Sequence, residues 1–171
     1  ACEHAGVVPD ILCLSKGITG GFLPLGATIT GDALFEAFAS PDRRHTFFHG
    51  HSYTANPIAC AAARASLALM DDASAARRAA VEAAQRHGVA RVASHPRVRN
   101  PRVLGTLAAF DLEAPAGYLS PIGRELGAFA MGEGVLIRPL GPVVYLLPPY
   151  CTTADELGRA WDVIVRFLER L

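Results

Sequence analysis

The sequence predicts an α/β protein, and three observations carry that reading. Short apolar runs such as Ile11-Leu12-Cys13-Leu14 alternate with segments whose apolar residues recur at helical spacing, such as Leu157, Trp161, Ile164 and Leu168. Apolar residues make up 51% of the 171, enough for a sizeable buried core. Helix starts are also written plainly: Asn56-Pro57 places a side-chain cap before a proline at the first helical position, and Thr153 with Glu156 forms a capping box.

The elements follow in chain order. Residues 11–14 suit a buried strand, followed by Ser15-Lys16-Gly17 and a turn at Gly20-Gly21. Residues 25–30 suit a second strand, 32–39 a short helix, and 40–50 a loop rich in His and Arg. The Ala-rich stretch 58–70 reads as a tightly packed helix after Asn56-Pro57. A more polar helix over 74–87 would end at Gly88, with His87 in its last turn. Residues 103–112 read as one strand with Gly105 inside it. Ser120-Pro121 opens a helix with Ile122, Leu126, Phe129 and Ala130 on its apolar face. Residues 135–137 and 143–147 read as short strands around a Gly141-Pro142 turn, before the capped final helix. The pattern shifts near residues 70–75, which places a domain boundary there.

Charge excludes some classes. Sixteen basic side chains balance sixteen acidic ones, so no basic excess points to nucleic acid. No uncharged apolar run approaches the roughly 18 residues of a membrane span, and the first residues lack a signal-peptide core. Cys2, Cys13, Cys60 and Cys151 form no CxxC pair. Cys13 and Cys60 sit in apolar stretches, where a buried reduced thiol is expected, and the expectation is a soluble protein of the reducing cytoplasm. The opening Ala1-Cys2-Glu3-His4-Ala5 reads as the edge of a piece cut from a longer chain.

Three places could carry chemistry. Lys16 is the one lysine among 16 basic residues. Arg cannot become a nucleophilic amine, so a retained Lys marks a place where Arg would not serve, although coding bias would give the same count. Lys16 leaves the carboxyl end of an apolar run beside Gly17, Gly20 and Gly21, the usual place for chemistry in open α/β sheets. Partial desolvation there would favour the neutral amine; the alternative is a solvent-facing loop lysine. The second place is His49-Gly50-His51-Ser52-Tyr53-Thr54. Two histidines at a spacing of two hint at a metal, but no third ligand follows, and a polar loop fits better. The Ser52 and Thr54 hydroxyls near a helix start suit a phosphate, and equally an ordinary cap. The third is Arg138, which leaves an apolar run and would either hold a carboxylate bidentately or sit in a structural salt bridge. Tyr145 and Tyr150, around Pro148-Pro149, would line a pocket or pack.

Together these segments resemble a known family. Asp10-Ile11-Leu12-Cys13-Leu14-Ser15-Lys16-Gly17-Ile18-Thr19-Gly20-Gly21 is similar to the cofactor-lysine segment of class III pyridoxal-phosphate-dependent aminotransferases. His49-Gly50-His51-Ser52-Tyr53-Thr54-Ala55-Asn56-Pro57 and Ala59-Cys60-Ala61-Ala62-Ala63 resemble its next block. Ala1-Cys2-Glu3-His4-Ala5, Ile137-Arg138-Pro139-Leu140-Gly141 and Val144-Tyr145-Leu146-Leu147-Pro148-Pro149-Tyr150 resemble one branch of it, the adenosylmethionine–8-amino-7-oxononanoate aminotransferases (diaminopelargonic acid synthases) of biotin synthesis.

The resemblance implies a fold type I PLP-dependent transferase. Residues 1–72 would end its large cofactor-binding domain and 73–171 would form the small carboxy-terminal domain. It implies pyridoxal 5'-phosphate as cofactor, held by Lys16 as a Schiff base, with Lys16 then moving the proton. Ser52 would bind the cofactor phosphate with backbone help from His51, across the interface of a homodimer. Gly50 and Tyr145 would line the substrate pocket, and Arg138 would hold the carboxylate of the keto acid. The amino donor would be S-adenosylmethionine, the acceptor 8-amino-7-oxononanoate and the product 7,8-diaminononanoate. One departure is His51-Ser52 where the best-known branch has Pro-Thr; the hydroxyl is kept. The family's aspartate for the pyridine nitrogen, its phosphate loop, its stacking aromatic and its donor-binding residues lie upstream of such a start, so this chain by itself is expected to be inactive. The alternatives are another class III omega-aminotransferase, or a non-catalytic α/β remnant acting as a binding domain.

Overall fold

The computed structural model describes residues 2–171; Ala1, which opens the first segment resembling the biotin branch, lies outside them. The chain divides into two compact units between Asp71 and Asp72.

The first unit runs α1 (Cys2–Ala5), β1 (Ile11–Leu14), a 3-10 turn (Lys16–Thr19), β2 (Ala27–Thr30), α2 (Asp32–Glu36), a second 3-10 turn (Arg43–His45) and α3 (Pro57–Ala68). β1 and β2 form an antiparallel ribbon from Ile11↔Thr30 to Leu14↔Ala27. The Thr30 hydroxyl closes its end by donating to the Asp10 carbonyl at 3.0 Å. The ribbon is not the buried strand expected from its composition: Ile11 is 55% exposed and Cys13 is exposed. An apolar run reads as buried only where something covers it, and among the described residues the ribbon stays two-stranded. Cys60, on α3, is half-buried. α3 begins where expected, with the Asn56 side chain accepting from the Ile58 and Ala59 amides at 3.0 and 3.2 Å. It buries only Ala59 and Ala63, so the tight packing expected along its whole length is not present.

The second unit contains α4 (Asp72–Val92), β3 (Val98–Leu104), β4 (Leu107–Leu112), a 3-10 turn (Gly117–Leu119), α5 (Ile122–Gly132), β5 (Val143–Leu146) and α6 (Ala154–Leu168). Its antiparallel sheet has the order β3-β4-β5. α4 packs on α6 and on the β3–β4 hairpin, and α5 packs on α6. Their shared core holds Phe110, Leu126, Val144, Trp161 and Ile164, each at most 2% exposed. Burying one such large side chain is worth about 1.5–3 kcal/mol, so this unit carries its own core. α6 is seated by a complete capping box: Thr153 Oγ1 accepts from the Glu156 amide at 3.2 Å, and Glu156 Oε2 accepts from the Thr153 amide at 2.8 Å.

Three expectations fail here for physical reasons. The helix expected to stop at Gly88 continues to Val92, so His87 lies inside it. Gly88 is a packing glycine: a Cβ on it would overlap the Trp161 indole. The single strand expected over 103–112 is a hairpin, in which Gly105 takes φ 54° between the paired Leu104 and Leu107. The stretch 135–137 forms no strand ladder. It is held by the Val135 amide on the Ala130 carbonyl and by a close approach of α5, where a Cβ on Gly127 would lie 3.3 Å from the Ile137 carbonyl oxygen.

Candidate functional site

The residues singled out by sequence fall in both units: Lys16 and the 49–54 loop in the first, Arg138 and Tyr145 in the second. Lys16 opens the 3-10 turn that follows β1, with Ser15 extended before it. Its backbone takes φ 52°, the left-handed region that a side-chain-bearing residue adopts only under constraint. The constraints are visible. Gly20, at φ 64°, donates its amide to the Gly17 carbonyl at 3.0 Å. Thr19 is 1% exposed, and its hydroxyl donates to the Leu23 carbonyl while accepting from the Leu23 amide. The Ser66 hydroxyl of α3 donates to the Gly17 carbonyl at 3.4 Å. The backbone of Lys16 is therefore held by the turn that follows it. The side chain is exposed, contrary to the partial desolvation expected, because the described residues place no wall over it. Its amine has no hydrogen-bond or ion-pair partner among the described residues.

The loop before α3 carries Gly50, His51 and Ser52. His51 is the organising residue: its Nδ1 accepts from the Tyr53 amide at 3.2 Å and its carbonyl accepts from the Thr54 amide at 2.9 Å. Its ring lies 5.7 Å from that of Tyr53. Ala55 turns the chain with φ 55°. The amides opening α3 are taken by Asn56, so the cap is not Ser52 or Thr54; among the described residues the hydroxyls of both are free. Gly50 has open space where a side chain would project.

The turn of Lys16 is tied to Ser66, near the end of α3, whereas Ser52 precedes its start. The helix from Pro57 to Ser66 rises about 14 Å. The Lys16 turn is thus tied to one end of α3, and the loop that carries Ser52 leads into the other. No group of three or more His, Cys, Asp or Glu among the described residues could hold a metal ion, His49 and His51 included.

In the second unit Arg138 and Tyr145 share a groove of about 450 Å³, walled by the 135–138 segment, residues 145–149 and the start of α6. It arises from a hairpin that opens. Leu140 and Val143 exchange backbone bonds of 2.9 and 3.0 Å around Gly141-Pro142. Two residues further along each arm, Arg138 and Tyr145 form the next pair that could exchange backbone bonds, and they make none among the described residues, so the arms part there. Arg138 is exposed and has no ion-pair partner among the described residues. Glu156 also lines the groove, but it is engaged by Thr153. The backbone amide of Thr153 first, and its hydroxyl second, hold the Glu156 carboxyl below the usual glutamate range. Tyr145 is half-buried on β5; Tyr150 is instead stacked by the Arg78 guanidinium, 5.6 Å from its ring centroid.

Sequence reasoning missed Thr19 and Ser66, which hold the Lys16 turn, and Gln85, which is buried beside the groove strand. Only Gln85 left a trace: it interrupts the apolar stripe Val81, Val89, Val92 at helical spacing.

The fold and these sites can be set against known proteins. The family model for class III aminotransferases matches residues 1–168. An adenosylmethionine-8-amino-7-oxononanoate aminotransferase of Synechococcus elongatus is 48% identical over all of this chain and 40% of its own length. One from Nitratidesulfovibrio vulgaris is 41% identical over 92% of this chain and 30% of its own. The crystal structure of the Methanocaldococcus jannaschii protein of that name superposes with a TM-score of 0.88 at 27% identity, over 99% of this chain and 40% of that one. An amine transaminase from an uncultivated Pseudomonas species, in its PLP-bound internal aldimine form, gives 0.86 at 33% identity over 98% of this chain and 40% of that one. This chain therefore spans about 40% of the length of the first of these relatives. The fold is that of the PLP-dependent class III transaminases, and the chain belongs to the class III aminotransferase family.

Proposed function

We propose that this chain is part of an aminotransferase of biotin synthesis that moves an amino group from S-adenosylmethionine to 8-amino-7-oxononanoate, giving 7,8-diaminononanoate. The observation that carries the reading is the held turn of Lys16, a partner-free primary amine on a left-handed backbone at the end of an apolar strand. The names of the 48% and 41% identical relatives support the substrate assignment.

The donor set fits pyridoxal 5'-phosphate, a phosphorylated aldehyde: Lys16 offers the amine, and Ser52 a hydroxyl without an internal partner. Bound, that cofactor supplies the electron sink for breaking a bond at the substrate's amino-bearing carbon. Lys16 is the residue that would hold it and afterwards carry the proton at Nζ. Ser52, with the backbone of His51, would meet the phosphate. Since the α3 amides of Ile58 and Ala59 belong to Asn56, the hydroxyl rather than the helix start makes that contact. The separation of Ser52 from Lys16 along α3 favours Ser52 serving the cofactor of a second copy, as in a homodimer. Gly50, with open space beside it, leaves room for substrate. Arg138 would hold the acceptor's carboxylate, since a free guanidinium in a largely apolar groove suits an acid on an alkyl chain. Tyr145 forms the facing wall. Residues 1–72 are read as the end of the large cofactor-binding domain and 73–171 as the small domain. Among the described residues no helix is long and apolar enough to cross a membrane, and a cytoplasmic site of action fits a biosynthetic aminotransferase.

The 33% identical amine transaminase favours a second reading, a class III enzyme for simple amines. Complementation separates the two. Joined to the upstream part of the 48% identical relative, this chain should restore growth without biotin to a bacterium that cannot make 7,8-diaminononanoate, and its Arg138→Ala form should not. No rescue by a protein that accumulates and transfers amino groups from simple amines to pyruvate would overturn the assignment.

A further inference from the structure

We infer that Gln85 is a positioning residue for the Arg138–Tyr145 groove, fixing through its side-chain amide the strand end that forms one wall. The role as stated rests on the reading that this groove receives the acceptor's carboxylate.

Gln85 is fully buried at 0% exposure in the middle of α4. Its Nε2 donates to the Thr106 carbonyl at 3.0 Å and to the Leu146 carbonyl at 3.1 Å, and its Oε1 accepts from Trp161 Nε1 at 3.0 Å. The orientation of the amide follows from its partners. Two carbonyls can only accept and an indole N–H can only donate, so a flipped amide would lose all three bonds.

The three partners lie on three elements. Thr106 is in the β3–β4 turn, Trp161 is on α6, and Leu146 is the last residue of β5. Leu146 stands between Tyr145 and Leu147, both groove residues. Beyond it Pro148 and Pro149 have no amide to donate, so no strand ladder can carry the wall further. On the other side, the 138/145 pair of the hairpin is open. β4 pairs with β5 as far as Ala108↔Leu146, and Gln85 adds a side-chain bond where that ladder stops. A Leu or Met would fill the same space without the desolvation cost of a buried amide; what the amide adds is direction.

The test is site-resolved amide hydrogen exchange on the 171-residue chain, with NMR titration of 8-amino-7-oxononanoate. In Gln85→Met, exchange at Tyr145, Leu146 and Leu147 should rise at least about tenfold relative to Leu126 and Ile164, with acceptor binding weakened by a similar factor. Gln85→Glu keeps the acceptor for Trp161 but loses both donors. It should give the same local signature, and serves if the Met variant does not fold. Trp161→Phe retains both donors and should change the strand end no more than the core, although it removes packing. A uniform rise in exchange in the Gln85 variants, or none, would overturn the proposal and leave Gln85 a core residue only. Arg138→Ala is the separate control. If the native chain does not bind the acceptor, or Arg138→Ala binds it as tightly, the groove assignment fails, while the exchange pattern still decides whether Gln85 holds the wall.

Discussion

Gly88 and Trp161 fit one another: the α4 backbone at Gly88 lies so close to the indole that a Cβ there would overlap its Nε1, Cδ1 and Cε2 atoms. Gly88→Ala in an exposed helix would stabilise by roughly 0.5–1 kcal/mol. Here overpacking, typically about 1–3 kcal/mol, opposes it, and Trp161 at 2% exposure has little room to move. The expected net result is destabilisation of the second unit by about 1 kcal/mol or more, read as a lower urea midpoint. A raised midpoint would contradict the packing.

Arg138→Ala should leave stability within about 0.5 kcal/mol of the native value, because Arg138 is exposed and has no ion-pair partner among the described residues. Acceptor binding should weaken about 10- to 100-fold, the scale of one hydrogen bond to a charged group. Unfolding and titration on the same variant check both halves. A large loss of stability would show a structural arginine instead.

The left-handed backbone of Lys16 should be detectable as strain. Gly adopts φ 52° without a Cβ penalty and Ala does not. The opening free energy of the Lys16–Thr19 turn, from amide exchange, should be about 1 kcal/mol higher in Lys16→Gly than in Lys16→Ala. The reverse order would mean that the backbone there is relaxed.

The start of α6 should weaken in acid. The Thr153 amide, and then the Thr153 hydroxyl, depress the Glu156 pKa in the folded chain. A depressed carboxyl contributes stability that is fully present above its unfolded pKa and is lost as pH falls through the lower, folded value. Amide exchange at Glu156 and Leu157, corrected for intrinsic rates, should therefore speed up below the ordinary glutamate range. In Glu156→Gln that acid dependence should vanish. The same pH response in native chain and variant would remove Glu156 as its cause.

What was legible in the sequence was local. The Asn56 cap and the Thr153–Glu156 box were readable because both partners lie within three residues. Lys16 stood out as the one lysine behind an apolar run. Features set by a distant partner were not readable. Gly88 looked like a helix stop because Trp161 lies 73 positions away. Residues 135–137 have strand composition, but α5 holds them without a ladder. The same limit hid the supports of the site: nothing local marks Ser66 for the Gly17 carbonyl or Gln85 for that of Leu146.

The proposed role of Lys16 as the cofactor-binding amine has a direct test. The chain should be incubated with equimolar pyridoxal 5'-phosphate and reduced with borohydride, and the modified residue mapped by mass spectrometry. With one lysine in the chain, the amino terminus is the internal control. An adduct on Lys16 in clear excess over the terminal amine is expected. An adduct confined to the terminus, or none in a chain shown to be folded, would contradict it.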